Sequence, residues 1–107
     1  MNITVLGAGI FGTAIANELS FNLDNDVILF SRCEKKVNEI NNFHTNKIYF
    51  PNKHLHDQLK ASSNKNTLKK ENIVFIALPS NTIIKTLLEY QSFFNKNVLF
   101  VNLSKGI

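Results

Sequence analysis

Residues 2–12 read Asn2-Ile3-Thr4-Val5-Leu6-Gly7-Ala8-Gly9-Ile10-Phe11-Gly12, an aliphatic and β-branched run that passes directly into a G-x-G-x-x-G turn. The run suits a buried central strand. Gly7 permits the tight turn out of it, Gly9 lets backbone approach a phosphate without a Cβ in the way, and Gly12 lets the next helix pack closely on the sheet. That helix then aims its unpaired N–H groups and the positive end of its dipole at whatever lies over the turn. The stretch therefore predicts a cradle for a dinucleotide pyrophosphate, needing no charged side chain.

The flanks lift this glycine pattern above coincidence. Phe11, Ile15 and Leu19 recur at the helical interval of four, predicting an apolar-periodic helix. A second strand-like run, Val27-Ile28-Leu29-Phe30, follows one short connection, so the unit has the length of a βαβ crossover. The fold class is α/β, a Rossmann-type doubly wound, mostly parallel sheet.

With 107 residues and 44% hydrophobic content, the chain is read as one nucleotide-binding domain over 1–107, with little room for a substrate pocket of its own. No apolar stretch approaches the ~20 residues of a membrane span, and the apolar start lacks a basic n-region, so a cytoplasmic protein is expected. The formal charge of +4 comes from scattered lysines without a basic stripe interleaved with aromatics, so nucleic acid is not the expected partner. Such a surface favours phosphorylated metabolites. The single Cys33 has no internal disulfide partner and reads as a small residue at a strand end.

Further along, Glu34 to Ile40 reads as a short helix with Val37 and Ile40 on one face and Asn41-Asn42 as its stop. Asn42 to Asp57 is a long loop with aromatic anchors, and loops of that length are usually functional. Leu59 to Ser62 reads as a short strand and Asn64 to Lys70 as a weak helix. Asn72 to Pro79 is a continuous apolar run suited to a strand covered on both faces. Ser80 or Asn81 is expected to cap a helix with an Ile83, Ile84, Leu87 and Leu88 stripe, and Asn97 to Leu103 to form the last central strand. Ser104-Lys105-Gly106 then falls at the carboxyl edge of the sheet, where such folds bind ligands.

Sheets that bind NAD carry an acidic residue near the end of the second strand, to hold the adenine ribose. Here that place holds Ser31-Arg32, and a guanidinium pairs with a 2′-phosphate, so NADP is favoured over NAD while Glu34 keeps NAD in play. His44, His54 and His56 have no metal-ligand spacing and read as loop histidines. Lys105 is placed to hold a phosphate or polarise a carbonyl oxygen; spacing alone equally allows a surface lysine.

Over essentially its whole length the chain resembles the NAD(P)-dependent glycerol-3-phosphate dehydrogenases of bacterial type. The motifs agree in order: ITVLGAGIFGTAIA at 3–16, LFSR at 29–32, INNFHTNKIYFP at 40–51, FIALPSN at 75–81 and VNLSKGI at 101–107. The resemblance implies that Gly7, Gly9, Ile10, Phe11 and Gly12 touch the cofactor, that Arg32 and Tyr49 contact its adenosine half, and that Lys105 meets cofactor and substrate. It also implies reversible hydride transfer between dihydroxyacetone phosphate and sn-glycerol 3-phosphate, feeding glycerophospholipid synthesis, and leaves open a homodimer of the intact enzyme. The alternative is a stand-alone, non-catalytic dinucleotide-binding module. Two departures stand out. The connection Phe21 to Asp26 lacks the family's usual glycine, so the angle of the first helix is expected to differ. The helical domain that family members carry after the nucleotide domain has no counterpart in these residues, so no catalytic residue is expected here and the 107-residue chain alone is expected to be inactive.

Overall fold

In the computed structural model, which describes residues 1–103, five parallel strands form one sheet: β1 (Asn2–Leu6), β2 (Asp26–Phe30), β3 (Lys60–Ser62), β4 (Ile73–Ile76) and β5 (Leu99–Asn102). Their order is β3-β2-β1-β4-β5, so the chain reverses its direction of travel across the sheet between β1 and β4. Parallel neighbours need crossovers rather than hairpins. These are supplied by α1 (Ile10–Leu19), α2 (Glu34–Phe43), α3 (Ile83–Tyr90) and short 3₁₀ turns.

The period-two alternation of a strand divides the core in two. Ile3 and Val5 of β1, with Val27 and Leu29 of β2, turn toward Ala16, Val37 and Ile40 of α1 and α2. Leu6, Phe30 and Val74 turn the other way, toward Leu68 and Tyr90. Val5, Leu29 and Val74 retain no accessible surface. Full burial of such a side chain stabilises the fold by roughly 1.5–3 kcal/mol.

The doubly wound architecture is the one the sequence predicts, but several local expectations are corrected. The buried face of α1 is Gly12, Thr13, Ala16 and Asn17; Ile15 and Leu19 are only partly covered and Phe11 is exposed. Small residues let the helix axis approach the sheet, while Thr13 and Asn17 serve the long loop described below. The turn at 20–26 manages without glycine, because Ser20 stays in the right-handed region and the Asn25 amide donates to the Leu19 carbonyl at 3.1 Å.

Helix α2 does not stop at Asn41-Asn42 but runs to Phe43, ending on His44 in the left-handed region at φ 55°. Asn41 has another task. Its side-chain amide donates to the Ala61 carbonyl at 2.9 Å and its oxygen accepts from the Ala61 N–H at 2.8 Å, standing in for a strand partner beside β3. Residues 65–70 form a 3₁₀ helix. The α-helix after Pro79 begins at Ile83 behind a 3₁₀ turn and has no side-chain cap. Its buried residues are Thr86 and Tyr90, while Ile84 and Leu88 are exposed. Strand β4 alternates between full and partial burial, and β5, last in the order among the described residues, has Leu99 and Phe100 exposed.

Candidate dinucleotide site

The carboxyl ends of β1 and β4 open onto a cleft of about 610 Å³, lined by Gly7 to Phe11, Lys36, Tyr49, Ala77 to Ser80 and Leu103. The cleft sits where the strand order reverses, the place at which open α/β sheets hold ligands. Its floor is fixed by the glycines. Gly7 adopts φ +110°, and a Cβ there would stand 2.6 Å from the Ala77 carbonyl oxygen. A Cβ on Gly12 would run into the Gly7 carbonyl oxygen, so the start of α1 closes directly on the turn. Gly9 is the opposite case: a Cβ on it would meet nothing within 4 Å. Internal packing does not demand glycine at position 9. The open space belongs to the cleft, so a side chain at this position would project into it.

Gly9 is the N-cap of α1, and no side chain caps the helix or brings acid to its first turn. The helix thus presents bare N–H groups and the positive end of its dipole. Ile10 and Phe11, at its first two positions, are 60% and 53% exposed and border the cleft. Large apolar side chains so placed match a ligand with flat, partly apolar rings.

The loop after α2 is anchored onto this floor. Asn46 is fully buried, and its amide donates to the Ala8 carbonyl at 3.3 Å and to Thr13 Oγ1 at 3.0 Å. Its own Oδ1 lacks a hydrogen-bond partner. Further on, the His56 N–H donates to Asn17 Oδ1 at 2.7 Å. These bonds explain why α1 buries two polar residues. They also bring Tyr49 to the cleft, where its hydroxyl accepts from Lys36 Nζ at 3.3 Å and its ring lies 4.8 Å from that ammonium. The sequence does not single out Lys36, whose usable signal is its place in the first turn of α2, and it marks Asn46 only as one position of the 40–51 motif.

Arg32 lies in an adjoining hollow of about 270 Å³ that shares Gly7 and Leu78 with the cleft. Its Nε donates to Tyr90 Oη at 2.7 Å and its Nη2 pairs with Glu89 Oε1 at 2.9 Å. The hydrogen bond to Tyr90 above all, against the opposing effect of burial and with a smaller push from the Glu89 carboxylate, raises its pKa. The side chain remains 57% exposed. Cys33 is an exposed free thiol at the rim of the same hollow. Among the histidines, His54 Nε2 lies 3.0 Å from Asp57 Oδ1, holding that carboxyl below its usual range. No group of three metal-ligating side chains occurs among the described residues. Lys105 lies outside them.

A family model described as "NAD-dependent glycerol-3-phosphate dehydrogenase N-terminus" matches residues 2–107. A glycerol-3-phosphate dehydrogenase [NAD(P)+] of Macrococcus caseolyticus is 37% identical, with 100% of this chain and 32% of the relative aligned. One from an Exiguobacterium species is also 37% identical, over 99% of this chain and 31% of its own length. The crystal structure of a glycerol-3-phosphate dehydrogenase from Coxiella burnetii superposes with a TM-score of 0.84 at 27% identity, covering 98% of this chain and 34% of that one. The chain spans about a third of the length of the curated relatives it matches.

Proposed function

The chain belongs to the NAD-dependent glycerol-3-phosphate dehydrogenase N-terminal family, and from that premise we propose that it is the nucleotide-holding domain, residues 1–107, of an sn-glycerol-3-phosphate dehydrogenase. The reaction is reversible hydride transfer between dihydroxyacetone phosphate and sn-glycerol 3-phosphate, feeding glycerophospholipid synthesis. A cytoplasmic, homodimeric enzyme completes this reading. Among the described residues no helix is long and apolar enough to cross a membrane.

The cofactor, when bound, supplies the hydride at its nicotinamide. The chain's own contribution is to bind and orient. Gly7, Gly9 and Gly12 let backbone meet the pyrophosphate, Ile10 and Phe11 cover it, Tyr49 borders the cleft, and Arg32 reads a 2′-phosphate from the adjoining hollow. For the last of these, the guanidinium would share itself between the phosphate and Glu89. Lys105 is proposed to meet cofactor and substrate. Holding the reacting carbon near its hydride donor removes much of the entropic barrier to transfer.

The observation that carries this reading is the unfilled space over Gly9 at an uncapped helix start. Titration of the protein with NADH and NADPH, followed by cofactor fluorescence, tests it. Binding by the wild-type protein and none by Gly9→Val is expected. Equal binding by both proteins would remove the site from this loop.

A further inference from the structure

We propose that Lys36 is a phosphate ligand of the dinucleotide cleft, held in place by Tyr49. The inference rests on the reading of the cleft as a dinucleotide site. A dinucleotide brings at least two phosphate charges into a cleft whose glycine turn offers backbone dipoles but no cationic side chain. Among its described lining residues, the one ammonium or guanidinium is that of Lys36.

Three features of Lys36 fit the task. It is half-buried at the cleft wall, on the first turn of α2, facing Tyr49 rather than bulk solvent. Its ammonium is steered by the Tyr49 hydroxyl at 3.3 Å and by the face of the same ring at 4.8 Å. A cation over a ring keeps its charge available, because the quadrupole attracts it without neutralising it. And among the described residues no carboxylate pairs with Lys36, whereas Arg32 is already engaged by Glu89. An ammonium with three donors that spends one on Tyr49 retains two for an oxyanion.

The anion is a phosphate of the cofactor, either the pyrophosphate common to NAD and NADP or the 2′-phosphate of NADP alone. The two are separated by measuring Kd for NADH and NADPH with the wild-type protein, Lys36→Met, Lys36→Arg and Gly9→Val. Lys36→Met should weaken binding by about ten- to a hundredfold, the worth of one charge-assisted hydrogen bond. An equal loss for both cofactors assigns the pyrophosphate, and a loss confined to NADPH assigns the 2′-phosphate. Lys36→Arg, which keeps the charge, should recover most of the loss, and Lys36→Met should show a shallower dependence of binding on salt. Thermal unfolding of each variant separates a lost contact from a lost fold, and Lys36→Gln replaces Lys36→Met should the latter unfold.

Unchanged affinity for both cofactors in Lys36→Met, with binding abolished in Gly9→Val, overturns the role of Lys36 and leaves the cleft assignment standing. Equal damage from Lys36→Met and Lys36→Arg likewise overturns a role based on charge. Unaltered binding in Gly9→Val overturns the cleft assignment itself.

Discussion

Replacing Glu71 by glutamine should stabilise the protein at neutral pH and do nothing for it in acid. Glu71 sits at the amino end of β4, on the rim of the sheet away from the glycine turn, and only 2% of it is exposed. Burial pushes its carboxyl up to about 6 from an ordinary 4.5; the negative charge of Asp26 adds to the rise and the Thr4 hydroxyl opposes it. Glu71 Oε2 completes no hydrogen bond. The unfolded chain therefore gives up this proton near 4.5 and the native one near 6. Across that interval the native state binds more protons, so the stability tied to the neutral carboxyl is full below 4.5 and is lost as pH rises through 6. A rise of roughly 1.5 units corresponds to about 2 kcal/mol. Glutamine has the shape of the neutral acid and never charges. At pH 7.5 Glu71→Gln should exceed the wild type by up to about 2 kcal/mol, on the order of 10 °C in Tm for a domain of this size. Near pH 4 the two proteins should melt together. Urea unfolding of both across that range measures the gap. A gap that stays constant with pH, or a variant less stable at pH 7.5, would refute the claim that a buried charge is being carried at neutral pH.

Other outcomes follow from the site. Gly12→Ala should destabilise the fold by about 1–3 kcal/mol, as overpacking does, and Gly7→Ala should do the same through strain at its positive φ; both are read by chemical denaturation. Arg32→Ala should cost NADPH about ten- to a hundredfold more than NADH, while Glu89→Gln, by freeing the guanidinium, should tighten NADPH alone. Titrations with the two cofactors decide, and equal losses in Arg32→Ala would take Arg32 off the 2′-phosphate. Leu29→Ala, which empties the centre of one core face, should cost about 2–5 kcal/mol in urea unfolding.

The sheet, the glycine turn and the first helix were legible because each is announced by neighbours in sequence: a strand run, φ-permissive residues and a helical period. Which face of α1 is buried was not legible. Hydrophobicity alone favours Phe11, Ile15 and Leu19, whereas the inward positions go to Gly12 and Ala16 for closeness and to Thr13 and Asn17 for hydrogen bonds to a loop some thirty to forty residues away. The end of α2 was misjudged for a similar reason: Asn41 looked like a helix stop because its tertiary use beside Ala61 leaves no local trace. Within the site, the backbone part was written in glycines. The side-chain part depends on folding the loop at 44–59 back over α1, which juxtaposes Tyr49 with Lys36 and buries Asn46.

The amide of Asn41 closes one margin of the sheet. In a parallel strand the N–H and C=O of one residue point the same way, and in β3 the outward pair belongs to Ala61, flanked by Lys60 and Ser62, which turn inward to β2. One side chain therefore occupies both outward-facing groups of that three-residue margin, and an invading strand would have to evict it before gaining its first hydrogen bond. Recruitment of a foreign or sister chain by backbone pairing, the usual first step of aggregation through sheets, is thereby discouraged on the β3 side of the sheet.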